Sequence, residues 1–189
     1  CLSRTRLLAV PAPRRARVLR RWIAALGLPP LPGNGVERIE RELLPARADA
    51  QAEFRWGGSV VRGGRDLLHA DHARPALPSG WSVDWDGQAP LALPDGDALS
   101  LDGARLEHPC RVHARQGGER IVLPGRGHSH ALKHVLQDLG VPPWERERLP
   151  LLSDAQGRLL AVGDMVHAAS FDAWLRERDA RLVWTQRAG

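Results

Sequence analysis

The residues that could carry chemistry are concentrated between Pro124 and Pro150, in the stretch PGRGHSHALKHVLQDLGVPPWERERLP. This stretch combines a glycine turn, three histidines, the only lysine of the chain and a tryptophan followed by two arginines. Guanidinium groups pair with phosphate oxygens in a bidentate manner and an ammonium group acts as a point charge, so such a set could hold a phosphate backbone. The side chains that we consider for these contacts are Arg126, His128, Lys133, Trp144, Arg146 and Arg148.

The three histidines indicate a second chemistry. His128, His130 and His134 have HxHxxxH spacing, and the last two would share one face of a helix, where they could hold a metal ion. No acidic or cysteine ligand stands out beside them, so the sequence predicts no metal site. A metal-dependent hydrolase that uses this cluster is kept as an alternative function.

A helix is predicted to position the centre of this stretch. Ser129 is a suitable N-cap, and Leu132, Leu136 and Leu139 then follow at helical spacing until Gly140 ends the pattern. Because free amides and the helix dipole favour an anion at a helix N-terminus, we expect the preceding turn at residues 125–128 to receive a phosphate.

A second group of basic residues lies on a predicted helix between Pro13 and Leu26. Apolar residues recur there at helical period, and Gly27 supplies a residue suited to the turn beyond the helix end. Four arginines fall largely off the apolar face, namely Arg14, Arg17, Arg20 and Arg21. Of these, Arg14, Arg17 and Arg21 are the candidates for contact with RNA. They form either a strip that faces RNA or the solvated side of an amphipathic helix, and the sequence favours neither interpretation.

The remaining patterns predict two small α+β domains, at residues 1–78 and 79–189, with the boundary in a proline-containing stretch. The first domain is expected to be helical with a short β segment, in which glycines 57 and 58 join two strands. The second is expected to be a mixed β-sheet with one principal helix. Its predicted strands are residues 111–114, 120–123, 158–162 and 181–184.

Charge is unevenly distributed along the 189 residues, whose formal net charge is +5. Residues 1–47 hold ten arginines against three acids, and residues 105–148 hold eight basic residues against five acids. Two separated basic regions suit contact with one extended polyanion. No apolar run approaches the roughly 20 residues that cross a bilayer, so no membrane contact is expected. The two cysteines, Cys1 and Cys110, suggest no disulfide framework, so the reducing cytoplasm is the predicted compartment. The chain starts at Cys1 and its only methionine is Met165, which indicates an internal fragment.

The motif GRGHSHALKHVLQDLGVPPWERERLPLL, followed by a turn and LLAVGD, resembles the C-terminal signature of tRNA(Ile)-lysidine synthetases. Upstream, RRARVLRRWIAALGL and WGGSVVRGGRDLL are similar to the central substrate-recognition domain of that family. The resemblance implies a two-domain, tRNA-gripping part of an enzyme that uses ATP with Mg to attach lysine to the wobble cytidine of isoleucine tRNA with a CAU anticodon. It implies that the second domain grips the acceptor arm.

The resemblance also implies a catalytic PP-loop domain ahead of these two. No SGGxDS phosphate-binding loop occurs in the sequence, so this chain is expected to hold no catalytic residue and no cofactor, and to be inactive alone. A homodimer is left open. The alternative from another class is a protein-interaction module resembling domains of phenylalanyl-tRNA synthetase β chains.

Overall fold

The computed structural model describes residues 1–47, 52–64 and 66–187, so Arg65 of the resembling upstream segment lies outside them. The chain folds into two compact units, Cys1–Arg74 and Pro75–Gly189. The sequence predicts the boundary near residue 78. Among the described residues the longest helix has 14 residues, and none combines the length and apolar character that crossing a bilayer requires.

The first unit packs short helices against an antiparallel sheet. Its helices are α1 (Arg4–Leu8), α2 (Ala12–Ala25) and α3 (Gly35–Arg38), the last continuing as a π-helical turn at Ile39–Leu43. Its strands, in sheet order, are β1 (Leu2–Ser3), β4 (Leu67–His72), β3 (Ser59–Gly64) and β2 (Glu53–Trp56). Positive φ angles at Gly57 and Gly58 close the predicted β2–β3 hairpin, as a type I′ turn requires.

Helix α2 shows why the sequence pattern predicts it well. Leu19 and Ile23 are fully buried against α3 and the sheet, while Leu26 of the predicted apolar face is 43% exposed. Beyond the last turn, Gly27 adopts φ +69°, and the amides of Gly27 and Leu28 donate to the carbonyls of Ala24 and Ile23. This pair of hydrogen bonds is a Schellman motif, and it satisfies carbonyls that the helix end would leave unpaired.

Within residues 75–187 the second unit contains three antiparallel sheets. The five-stranded sheet has the order β13 (Val166–His167), β12 (Leu159–Val162), β11 (Leu151–Ser153), β8 (Cys110–His113) and β5 (Ser82–Trp85). The three-stranded sheet has the order β14 (Arg181–Thr185), β7 (Ala98–Asp102) and β6 (Leu91–Ala92). The two-stranded sheet pairs β9 (Arg120–Val122) with β10 (Ser129–Ala131).

Three helices complete the second unit: α4 (Leu132–Asp138), α5 (Pro143–Arg146) and α6 (Ala169–Glu177). Leu132 and Leu136 of α4 and Phe171 and Leu175 of α6 enter one apolar core with the strands. The predicted helix corresponds to α4, and α6 is a further, longer helix that the sequence did not predict. The buried residues of α6 follow helical spacing, but the segment is short and lies between strand patterns.

The α+β prediction is confirmed, and all four predicted strands of the second unit occur within two residues of their predicted bounds. The expectation of a mixed sheet was wrong, since every strand pair between described residues is antiparallel. The chain contains more strands than predicted. Strands of two residues such as β6 and β13 have no recognisable sequence pattern and are defined only by pairing with a neighbouring strand.

Candidate nucleic-acid interface

The two-stranded sheet of the second unit forms an exposed hairpin, and we call residues 120–134 the basic hairpin. Ser129 pairs with Val122 and Ala131 pairs with Arg120 across its strands. At its tip the Arg126 amide donates to the carbonyl of Leu123 at 3.1 Å, and the glycine between them has φ +72°. Proline second and glycine third is typical of a type II turn. The turn leaves Arg126 and His128 exposed to solvent.

Cationic groups lie close to one another in the basic hairpin. The rings of His128 and His130 lie 4.5 Å apart between centroids. Partial burial of the His130 ring lowers its pKa, and the charges of His128, Arg126 and Arg120 lower it further. Positive charge close enough to disfavour a further proton is a property of a surface that attracts anions.

The exposed cations of this hairpin are not neutralised. No carboxylate in the described ranges lies within 4 Å of the side-chain nitrogens of Arg126 or Lys133. Arg120 uses Nε to donate to Ser129 Oγ at 2.9 Å and Nη2 to donate to Ser129 O at 2.6 Å, so both of its bonds hold the hairpin together. The sequence does not single out Arg120, because only strand pairing brings it opposite Ala131, two residues from Ser129.

The predicted helix start at Ser129 was wrong. Residues Ser129–Ala131 form β10, and α4 begins at Leu132 after Ala131, whose side chain cannot cap. The hydroxyl of Ser129 accepts a hydrogen bond from Arg120 instead of one from the helix. Since the glycine turn leads into a strand, the argument for a phosphate at a helix N-terminus fails. Lys133 nevertheless lies exposed on the first turn of α4.

The same change removes the geometric argument for a histidine metal site. His130 is on β10 and His134 is on α4, so they do not share a helix face at i, i+4 spacing. Within the described ranges no group of three or more His, Cys, Asp or Glu residues is arranged to hold a metal ion.

Helix α5 carries two further predicted residues. Trp144 and Arg146 are both partly buried. The Arg146 Nε donates to the carbonyl of Val141 at 2.8 Å, which fastens α5 to the loop after α4. Both side chains are partly exposed to solvent, so contact of Trp144 and Arg146 with RNA stays a prediction.

Arg148 does not belong to this surface. It is 5% exposed, and Nη2 lies 3.1 Å from Asp97 Oδ2 and 4.0 Å from Asp95 Oδ2. Its Nη1 lies 3.0 Å from Glu145 Oε2. The sequence predicted that Arg148 contacts phosphate, but these internal ion pairs occupy its guanidinium group. Its partner Asp97 is 51 positions away and gives no local signal.

In the first unit, Arg14, Arg17 and Arg21 are exposed on α2, as the solvated face of the helix requires. No side-chain hydrogen bond or ion pair to another described residue fixes any of them. Arg15 differs, since its Nε lies 2.7 Å from Glu40 Oε1 and ties α2 to the π-helical turn. The first unit therefore presents a separate strip of uncompensated positive charge, and its contact with RNA stays a prediction.

Both units therefore present positive charge on exposed turns or helix faces, which suits contact with a polyanion. The family described as "TilS substrate binding domain" matches residues 2–69, and "TilS substrate C-terminal domain" matches residues 110–184. Each unit thus corresponds to one of these domains. The chain belongs to the tRNA(Ile)-lysidine synthetase family.

Curated relatives agree with this assignment. The chain is 50% identical over 184 residues to tRNA(Ile)-lysidine synthase of Xylella fastidiosa (strain Temecula1), with 94% of the chain and 42% of that protein covered. It is 51% identical over 178 residues to the same-named protein of Xanthomonas campestris pv. campestris (strain 8004), covering 93% and 41%. The chain thus spans about two fifths of the length of these relatives. A solved structure titled "Crystal structure of TILS C-terminal domain" is 27% identical, with a TM-score of 0.46 over 58% of this chain and 98% of that one.

Proposed function

We propose that this chain binds tRNA through the basic hairpin of its second unit. The observation that carries the proposal is a group of exposed cations in the basic hairpin, Arg120, Arg126 and Lys133, none of which has a described carboxylate within ion-pair distance. The neighbouring rings of His128 and His130 lie 4.5 Å apart between centroids. Such a group can neutralise several phosphates of a folded RNA without reading its bases.

The proposal extends to the division of labour between the units. By its family, the second unit grips the acceptor arm of the tRNA, where a helical RNA is recognised by shape and backbone. The first unit, which carries Arg14, Arg17 and Arg21, contacts the RNA nearer the anticodon. Partly buried Trp144 and Arg146 contribute at the edge of the second unit.

The activity of the longer protein is part of the same proposal. We infer that the parent enzyme is a ligase that uses ATP and Mg to join lysine to the wobble cytidine of isoleucine tRNA with a CAU anticodon. This chain supplies RNA binding and is inactive alone. The proposed compartment is the cytoplasm, where its tRNA substrate is found, and a homodimer stays a prediction that sedimentation would test.

The proposal is tested by RNA binding as a function of salt. Each neutralised phosphate releases counterions, so log affinity should fall linearly with log salt concentration. Arg126→Glu should weaken binding roughly tenfold and reduce the salt slope by about one. Arg17→Glu tests the first unit in the same way, and Arg181→Glu, on exposed β14 in another sheet, is the matched control.

Circular dichroism spectra of all variants should match the unsubstituted chain, because the substituted residues are exposed. Two results would exclude the basic hairpin as the binding surface: an RNA affinity that does not change with salt concentration, or an Arg126→Glu variant that binds RNA as tightly as Arg181→Glu. Loss of affinity in Arg126→Glu with no change in Arg17→Glu would confine RNA contact to the second unit.

A further inference from the structure

A polar cleft of about 580 Å³ lies in the second unit next to the basic hairpin. One face of β5, β8 and β11 forms one side of it, and residues 116–120 and 154–157 form the other. Its volume is within the range of roughly 300–1,000 Å³ that holds small ligands. Arg126, His128 and Lys133 do not line it, so the cleft extends beyond these cations and shares Arg120 with the basic hairpin.

The floor of the cleft presents a fixed pair of polar groups. Ser153 is 6% exposed, and its Oγ lies 2.9 Å from His113 Nε2. The other ring nitrogen, Nδ1, lies 2.9 Å from the carbonyl oxygen of Ala114. Because a carbonyl only accepts, Nδ1 carries the hydrogen and Nε2 accepts the proton of the Ser153 hydroxyl. The hydroxyl oxygen keeps a lone pair that can accept from an amino group.

Two charged side chains at the rim of the cleft, Arg111 and Asp84, are available to bind a ligand. Arg111 Nε lies 3.6 Å from Asp84 Oδ1, and these side chains are 64% and 71% exposed. An ion pair this open is weak, so either member can exchange its partner for a ligand group. Gly117 and Gly118 have φ of +90° and +80°, with open space where a Cβ would stand. Their backbone is accessible to a close ligand.

Arg120 joins the cleft to the basic hairpin. It lines the cleft and also holds Ser129 of β10 through Nε and Nη2. A phosphate chain that follows the cations of the hairpin therefore reaches the cleft at Arg120. The cleft is lined by both basic and acidic side chains, so it offers hydrogen-bond donors and acceptors together. Such a lining suits the edge of a nucleobase better than a second phosphate chain.

We propose that this cleft binds one unpaired nucleotide of the RNA that the basic hairpin holds, with its base edge against Ser153 and its phosphate near Arg111 and Arg120. A paired base shows only its groove edge, whereas an unstacked base can enter a concave site. The proposal rests on RNA binding by this chain, and it adds that a single-stranded element is recognised.

Two RNAs test this proposal by fluorescence anisotropy: a blunt duplex, and the same duplex with a single-stranded 3′ extension. The extension should strengthen binding by about fivefold, the net gain that one hydrogen bond to the base edge provides. Ser82→Trp should remove this gain while leaving blunt-duplex affinity unchanged. Ser82 is exposed, lines the cleft and pairs with His113 across the strands, so a large ring there covers the floor.

Thr185→Trp, at an exposed strand position outside the cleft, is the matched control and should keep the full gain. Ser153→Ala supplies a second variant that adds no bulk, and it should reduce the gain. If both RNAs bind equally well, or the gain survives in Ser82→Trp, the cleft proposal is overturned and RNA binding by the hairpin stands. If neither RNA binds, both proposals fail.

Discussion

Replacing Arg148 with alanine tests the placement of this side chain inside the second unit. Arg148 holds Asp97 at 3.1 Å and Asp95 at 4.0 Å, and the side chains of these aspartates are 1% and 0% exposed. In the variant Asp97 keeps its hydrogen bond from the Arg187 amide at 2.8 Å, and both aspartates lose the guanidinium group of Arg148. Removing one partner of a buried ion pair costs about 3–5 kcal/mol of the free energy of unfolding, because a buried charge is left uncompensated.

That loss is large beside the roughly 5–15 kcal/mol that stabilises a typical domain. For a unit of this size it corresponds to a lowering of Tm by roughly 10–20 °C. Thermal unfolding of the intact chain, followed by circular dichroism, measures the change. Arg126→Ala is the matched control, since it removes an exposed arginine that forms no ion pair with a described carboxylate, and it should leave Tm unchanged.

The loss of unfolding free energy in Arg148→Ala should also depend on pH. Burial raises the pKa of Asp95, the charge of Asp97 raises it further, and Arg148 lowers it. A carboxyl whose pKa is higher in the folded state binds a proton on folding, so its penalty is present above the folded pKa and vanishes below the unfolded one. The difference in stability between Arg148→Ala and the unsubstituted chain should therefore shrink on acidification. An Arg148→Ala variant with unchanged Tm and weakened RNA binding would refute the buried placement.

Two further predictions concern the hairpin and a backbone contact. RNA affinity should rise as the pH falls below neutral. Burial and neighbouring cations lower the pKa of His130 in the free chain, whereas bound phosphates favour its protonated form. His130→Ala should flatten this pH profile in an anisotropy titration. Gly103→Ala should destabilise the second unit more than Gly117→Ala in urea unfolding. Both glycines have positive φ, but a Cβ at Gly103 would lie 2.7 Å from the carbonyl oxygen of Asp179, whereas at Gly117 it meets open space; equal midpoints would contradict this contact.

Local sequence determined the elements whose signals lie within one turn or one strand. Helix α2 followed from its apolar period and from Gly27, and the β2–β3 hairpin followed from two adjacent glycines. The family followed from an ordered motif, which needs no coordinates. The sequence also predicts that Arg14, Arg17 and Arg126 are exposed, because a charged residue off an apolar stripe or in a glycine turn faces water.

The tertiary structure decided the features that depend on partners distant along the chain. Ser129 has the local context of a helix cap, yet pairing with β9 makes it a strand residue held by Arg120. Arg148 looks locally like one more surface arginine of the ERER segment, yet Asp97 from a distant part of the unit holds it in the core. The cleft arises only where β5, β8 and β11 meet. Ion pairing and strand pairing act through space, so a sequence window cannot show which of two chemically identical arginines meets solvent and which meets a buried carboxylate.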